Sequence, residues 1–304
     1  MLVEIYVEID DFCKANQEII REWLQESGLV KKAHPSKLTL SEVMTILVHY
    51  HQSYYKNFKQ YYLNYVQQDL RNDFPDLVSY NRFVELIPRA LMPMCLFLNY
   101  RCSLSKRTGI YYIDSTRWEV CHPKRAHQHK VMLGFAQWGK TSMGWFYGLK
   151  YHLIINELGE LINFYVSSGA KADNHAKTLF VLTQNLFGWL FGDKGYLLNK
   201  AKRAFLERDG DLKIFSKCRK NMAKQSMPLQ ASLWIKKRGL IETTIDLTKN
   251  DCEAVHTRHR SPINAFVNLF AALCAYSFRQ RKPSTKINLE ARLLPKPKEQ
   301  IKAA

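Results

Sequence analysis

The spacing of apolar positions changes character near residue 109. Before it, Leu40, Val43, Leu47, Tyr50, Tyr54, Phe58, Tyr61 and Tyr65 recur at steps of three or four, the spacing that lines one face of a helix. The pattern predicts helices from about Asp10 to Leu98. Tyrosines on such a stripe belong in a core, because base-stacking platforms are built on strands or loops. Within NDFPDLVSYNRFVELIPRAL a proline turn precedes Ser79, a residue able to cap a helix, and Phe83, Leu86 and Ile87 follow on one face. That segment resembles the second half of a helix-turn-helix, a shape shared by any short two-helix hairpin.

From Gly109 the grammar is that of strands. IYYID, GWFYGLKYHLIIN and LINFYVSS are β-branched and aromatic runs, and ELGEL between the last two is a hairpin turn. NHAKTLFVLTQNLF then predicts a helix, GWLFGD a short strand, LLNKAKRAFLERDG a helix ending in glycine, and LKIFS another strand. A long helical region follows. Three successive strands and then alternation with helices predict an α/β fold with a mixed sheet, whose strand order the sequence leaves open.

Composition adds a partner. The 304 residues are 46% apolar, enough for a substantial core, and carry a net charge of +18. The charge is uneven: 21 basic and 18 acidic residues up to Asp193, against 24 and 9 beyond it. Such asymmetry favours a polyanion, since each phosphate neutralised releases condensed counterions. Seven cysteines without a CxxC pair read as reduced thiols rather than a disulfide framework. The acidic start, MLVEIYVEIDDFCKA, lacks the pattern of a secretory signal. The apolar window from Ile263 to Phe278 is interrupted by Asn264, Asn268 and Ser277 and is shorter than the ~20 residues of a membrane span, so it predicts a buried helix.

Carboxylates supply the candidate chemistry. Asp114 follows the apolar run Ile110 to Ile113, and Asp193 follows Trp189, Leu190 and Phe191 with one glycine between. Both are expected to terminate strands, and ligands of open α/β sheets gather in the crevice beyond strand ends. Gly192 and Gly195 permit close approach to Asp193, although an Asp-Gly turn explains GDKG equally well. In IKKRGLIETTIDLTK, expected to be one helix, Glu242 has Arg238 four residues before it and Lys249 seven after, roughly on one face. The neighbours Leu240, Ile241 and Ile245 imply partial burial, where a carboxylate needs a metal, a cation or a raised pKa.

YYIDST, LFGDKGY and RGLIETTIDLTK, in that order, resemble the three catalytic segments of DDE transposases of bacterial insertion sequences. VCHPKRAHQHK, GWFYGLKYHLIIN, CRKNM and HTRHRSPINAFVNLFAALCAYSF extend the resemblance to a subgroup, the insertion-sequence 982 type, from roughly Ser79 to Pro283. The resemblance implies a ribonuclease H-like core over residues 106–282, preceded by an all-helical DNA-end-binding domain over 1–105 and followed by a basic tail over 283–304. It assigns the catalytic and metal-holding roles to Asp114, Asp193 and Glu242. The tyrosine, arginine, glutamate and lysine signature of some such enzymes matches Arg238, Glu242 and Lys249, but Ile235 stands where the tyrosine would be.

That likeness implies DNA cleavage at element ends and strand transfer into target DNA. Hard carboxylate ligands favour two Mg²⁺ or Mn²⁺ ions, about 3.5–4 Å apart in two-metal sites. The expected partner is double-stranded DNA, both terminal inverted repeats and target, bound by a homodimer in the bacterial cytoplasm at the nucleoid, with no membrane. Lys194, Arg238, Lys249, Arg258 and Arg260 are candidate phosphate contacts. His122 is a possible accessory group near Asp114. Cys121, His122, His127 and His129 lack the second downstream pair that a structural zinc site uses. Two alternatives stay open: a ribonuclease H-like nuclease without strand transfer, and a non-catalytic basic DNA-binding protein.

Overall fold

The computed structural model describes residues 1–29, 36–207, 211–217, 227–256 and 258–285. The chain divides into two compact units, residues 1–101 with 247–280, and residues 102–246 with 281–304. CRKNM and most of the C-terminal tail lie outside the described residues.

The described part of the first hundred residues is helical: α1 (Leu2–Ala15), α2 (Gln17–Glu26), α3 (Leu40–Tyr50), α4 (Phe58–Tyr61), α5 (Tyr80–Leu86) and α6 (Leu91–Leu104). Thr39 and Glu42 form a capping box at the start of α3. Ser79 caps α5, its hydroxyl accepting from Arg82 N at 3.3 Å, and Phe83, Leu86 and Ile87 are buried. The tyrosine stripe is mostly core. Val43, Leu47, Tyr50 and Tyr61 are buried, but residues 51–57 break the helix and leave Tyr54 fully exposed. The helical run Tyr80–Leu104, mean hydropathy 1.2, is long and apolar enough to cross a membrane, a stretch that the reading of Ile263–Phe278 passed over. Its buried Phe83, Leu86, Met94, Phe97 and Leu98 belong to the core.

The second unit is built on a mixed six-stranded sheet: β1 (Ile110–Cys121), β2 (Gln137–Thr141), β3 (Gly144–Asn156), β4 (Leu161–Ser168), β5 (Gly188–Gly192) and β6 (Leu212–Ser216). The order is β2-β3-β1-β5-β6, with β4 also pairing β3. β1 is antiparallel to β3 and parallel to β5, and β6 is parallel to β5. The expected β3–β4 hairpin turns at Gly159, whose φ of +73° suits a residue without Cβ.

β1 departs from expectation. It continues seven residues past Asp114 through Ser115, Thr116 and Arg117, because β3 pairs with it from Tyr111 to Cys121. The parallel ladder with β5 ends at Tyr112. Asp114 therefore lies beyond the end of a ladder rather than at the end of a strand. β2 was also missed, since QWGKT carries little apolar alternation.

Alternation along β1 sends its side chains to two faces. Tyr111 and Ile113 join Ile154, Leu190 and Ile214 in a core with Leu179 and Leu182 of α7 (Ala176–Leu182), against which Leu206 of α8 (Lys200–Leu206) also packs. Tyr112 and Asp114 face the other way. On that side α9 (Leu229–Lys236) lies against β5 and β6, and α10 (Gly239–Asp246) against β1 and β3. The single helix expected around Glu242 is thus two, broken at residues 237 and 238 before Gly239, and a π-helical turn spans Leu247–Asp251. The last described helix, α11 (Pro262–Ser277), is buried along most of its length and packs on α3 within the helical unit.

Candidate active site

Two parallel strands deliver two of the acids to one level. Tyr112 pairs with Phe191; two residues further along each strand stand Asp114 and Asp193. Asp114 Oδ1 accepts from Ser115 N at 2.8 Å, and its Oδ2 pairs with Arg238 Nη1 at 3.1 Å. Arg238, whose side chain is only 11% exposed, directs its other terminal nitrogen to Glu242 Oε1. One guanidinium therefore bridges the first and third predicted acids, 128 residues apart in sequence.

Burial pushes the Asp114 carboxyl up to about 6; the negative charge of Asp193 adds to this, while Arg238 and the Ser115 N–H oppose it. Asp193 caps the short 3₁₀ turn Lys194–Tyr196, its Oδ1 accepting from Gly195 N at 2.7 Å. A Cβ on Gly195 would stand 2.9 Å from Asp193 Oδ1 and 3.2 Å from Asp173 Oδ2. Two carboxylates thus come close to Gly195, and GDKG is at once a turn and a mount for Asp193.

Asp173, in the loop between β4 and α7, is the acid that sequence reasoning missed. Its Oδ1 accepts from Ser115 Oγ at 2.7 Å and from Lys150 Nζ at 3.0 Å. Lys150 is buried and also donates to the carbonyl of Lys171 at 3.0 Å. Tyr196 is fully buried beside this group; burial first, then the charges of Asp114, Asp173 and Asp193, hold its phenol well above its ordinary pKa. Asp114, Asp173 and Asp193 thus gather about one aromatic ring. Lys150 is the signal that was available: a lysine inside an otherwise apolar strand requires a carboxylate partner.

The remaining predicted residues fall in different places. Lys194 is exposed directly after Asp193. α10 is partly buried as expected, Leu240, Ile241 and Ile245 filling its inner face, while the Glu242 side chain is 57% exposed. Arg238 sits among the acids as their counter-ion. Lys249 lies in the π-helical turn, and Arg258 and Arg260 are exposed in the segment before α11, all in the helical unit. His122 is not beside Asp114. It stands eight residues further along β1, about 25 Å in extended chain, where its Nδ1 accepts from Lys124 N at 3.3 Å at the start of a 3₁₀ turn. Ile235 is buried in α9.

The donor set consists of carboxylate oxygens, which suit a hard divalent cation. As oriented, Asp114 and Glu242 each direct one oxygen to Arg238, and among the described residues no three ligands surround a common point. Arg238 holds a positive charge where the acids need one. A model of the transposase DDE domain matches residues 104–262, a span that includes all three predicted acids.

The chain belongs to the transposase DDE-domain family. Among curated proteins and solved structures, nothing matches it. In this transposase the matched span runs from the end of α6 through the sheet and α10 to the start of α11. The six described cysteines form no disulfide, and four of them, Cys102, Cys121, Cys252 and Cys274, are buried.

Proposed function

We propose that the chain is an insertion-sequence transposase, of the 982 type suggested by its flanking motifs, that cuts DNA at element ends and joins the freed 3′ end to target DNA. The observation that carries this reading is the bridging of Asp114 and Glu242 by Arg238, with Asp193 close enough to raise the Asp114 pKa. Arg238 links two acids distant in the chain, and the strand directions, three antiparallel neighbours followed by two parallel ones, support the reading of a ribonuclease H-like core.

Asp114, Asp193 and Glu242 would hold Mg²⁺ or Mn²⁺, two ions in the full site, which supply activation of the attacking oxygen and charge stabilisation at the phosphodiester. Arg238 opposes the protonation of Asp114 and orients Glu242. Asp193 is fixed by the Gly195 N–H, and Ser115 is fixed by Asp173, so the backbone amide that orients Asp114 stays in place. Lys194, beside Asp193, and the exposed Arg258 and Arg260 are phosphate contacts. Residues 1–105 bind the element end, a homodimer joins two ends, and the protein works in the bacterial cytoplasm.

The test uses purified full-length protein, labelled duplexes carrying the two termini of the element, and a supercoiled plasmid target with Mg²⁺ or Mn²⁺. The parent is expected to nick the terminus and join it to plasmid, whereas Asp114→Asn, Asp193→Asn and Glu242→Gln variants bind the duplex but do neither. Nicking without joining would make the protein a nuclease. Variants as active as the parent would overturn the assignment of the acids.

A further inference from the structure

The β2–β3 hairpin presents an aromatic surface for which the carboxylate chemistry has no use. Cross-strand pairing sets Trp138 opposite Tyr147 and Lys140 opposite Trp145. Residues at even spacing along each strand share a face, so these four side chains stand together. Trp138 is 46% and Trp145 60% exposed. The Trp138 and Tyr147 rings lie 5.6 Å apart, and Lys140 Nζ sits 5.5 Å from the centre of the Trp145 ring. The opposite face is closed: Phe146 is buried, and a Cβ on Gly139 would come within 2.6 Å of its ring. The hairpin is thus anchored on one side and bears large flat rings on the other.

Exposing two tryptophans to solvent costs solubility unless something covers them. Charge narrows what that is. Residues 120–147 contain no aspartate or glutamate, but include Lys124, Arg125, Lys130 and Lys140. An aromatic face set in an acid-free basic stretch is complementary to a polyanion with exposed rings. Position narrows it further. Asp114 pairs with Leu153, and Tyr147 lies six residues back along β3 in the same alternation, roughly 20 Å away on the same side of the sheet.

We propose that Trp138, Lys140, Trp145 and Tyr147 form a stacking platform for unpaired bases of a DNA strand, at the end of β3 remote from Asn156. The platform rests on the reading of the chain as a DNA-cutting enzyme and names where its substrate is gripped. Tryptophan rings accept bases of any sequence on their faces, and Lys140 neutralises the adjoining phosphate. Fully paired DNA hides its base faces in the stack, so the platform discriminates for frayed ends and overhangs.

The experiment compares a fluorescein-labelled blunt duplex with the same duplex carrying an unpaired 3′ extension, bound by full-length protein in Ca²⁺ to prevent cutting. The parent is expected to prefer the extended duplex and to show quenched tryptophan emission with it. Trp138→Ala and Trp145→Ala should each lower affinity for the extended duplex by roughly 5- to 100-fold and leave blunt-duplex binding unchanged. Trp145→Phe should retain most of the preference. A parent without preference, or alanine variants that keep it, would overturn the platform. So would a change in molecular mass of the free protein by light scattering in the alanine variants, which would make this face a contact between copies of the chain. Plasmid joining measured on the parent separates the two ideas: a parent that joins DNA while its alanine variants bind normally sinks the platform alone.

Discussion

Replacing Asp114 by asparagine should make the metal-free protein more stable at neutral pH while abolishing its activity. The side chain is 19% exposed, and burial raises its pKa from an ordinary 3.8 to about 6 even with Arg238 beside it. Raised folded-state affinity for the proton means that ionisation opposes folding. The contribution is fully favourable below pH ~4 and is lost as pH rises through about 6. The difference of about two pH units, at about 1.4 kcal/mol each, gives ~3 kcal/mol against the ionised form. Asparagine has the shape of the protonated acid and avoids that cost. Urea denaturation in EDTA should therefore show Asp114→Asn about 2–3 kcal/mol more stable than the parent at pH 7.5, and nearly equal to it at pH 4. Saturating Mg²⁺ should narrow the gap at pH 7.5, because ions that bind only the folded parent add ~2.7 kcal/mol at a hundredfold excess over Kd. A variant less stable than the parent at pH 7.5, or a gap that does not change with pH, would refute the reasoning.

Other outcomes follow from the same contacts. Arg238→Gln leaves Asp114 and Glu242 without their shared cation and should destabilise the metal-free protein by about 2 kcal/mol at pH 8, a loss that Mg²⁺ reduces in a thermal melt. Asp173→Asn strands the buried Lys150 and should cost about 2–4 kcal/mol; adding Lys150→Met should recover most of it in a double-mutant cycle, and additivity would show that the pair is not coupled. Gly195→Ala places a methyl 2.9 Å from Asp193 Oδ1, so DNA nicking should fall by roughly 100-fold with Tm little changed. In the helical unit burial depresses His51 and His259 to about 3. Stability from these neutral histidines is complete above pH ~6.5 and is lost as pH falls below it, so amide protection factors in α3 and α11, taken against the intrinsic exchange rate at each pH, should fall at pH 5 relative to pH 7.

The sequence by itself determined most of the strands and helices and offered three acids as candidates. The β-branched and aromatic runs IYYI and GWFYGLKYHLIIN mark strands buried on both faces, and the order of motifs along the chain offered Asp114, Asp193 and Glu242 as candidates. Ser79 could be read as a cap because its chemistry acts locally, within three residues. Tertiary structure decided what depends on neighbours distant in the chain. β1 runs through polar Ser115, Thr116 and Arg117 because β3 supplies hydrogen bonds along its length, a stabilisation invisible in β1's own side chains. Glu242 is exposed because α10 turns its leucine and isoleucines inward, and the break before Gly239 resets the helical face assumed for it. Arg238 became a counter-ion rather than an isolated phosphate contact only when folding brought Asp114 within 3.1 Å. Asp173 had no motif; its proximity to Ser115 and Lys150 arises from a loop crossing strands 23 and 58 residues away in sequence. Residue type fixes which chemistry a side chain can perform, but electrostatics and burial act through space, so which groups share a site is set by the packed chain.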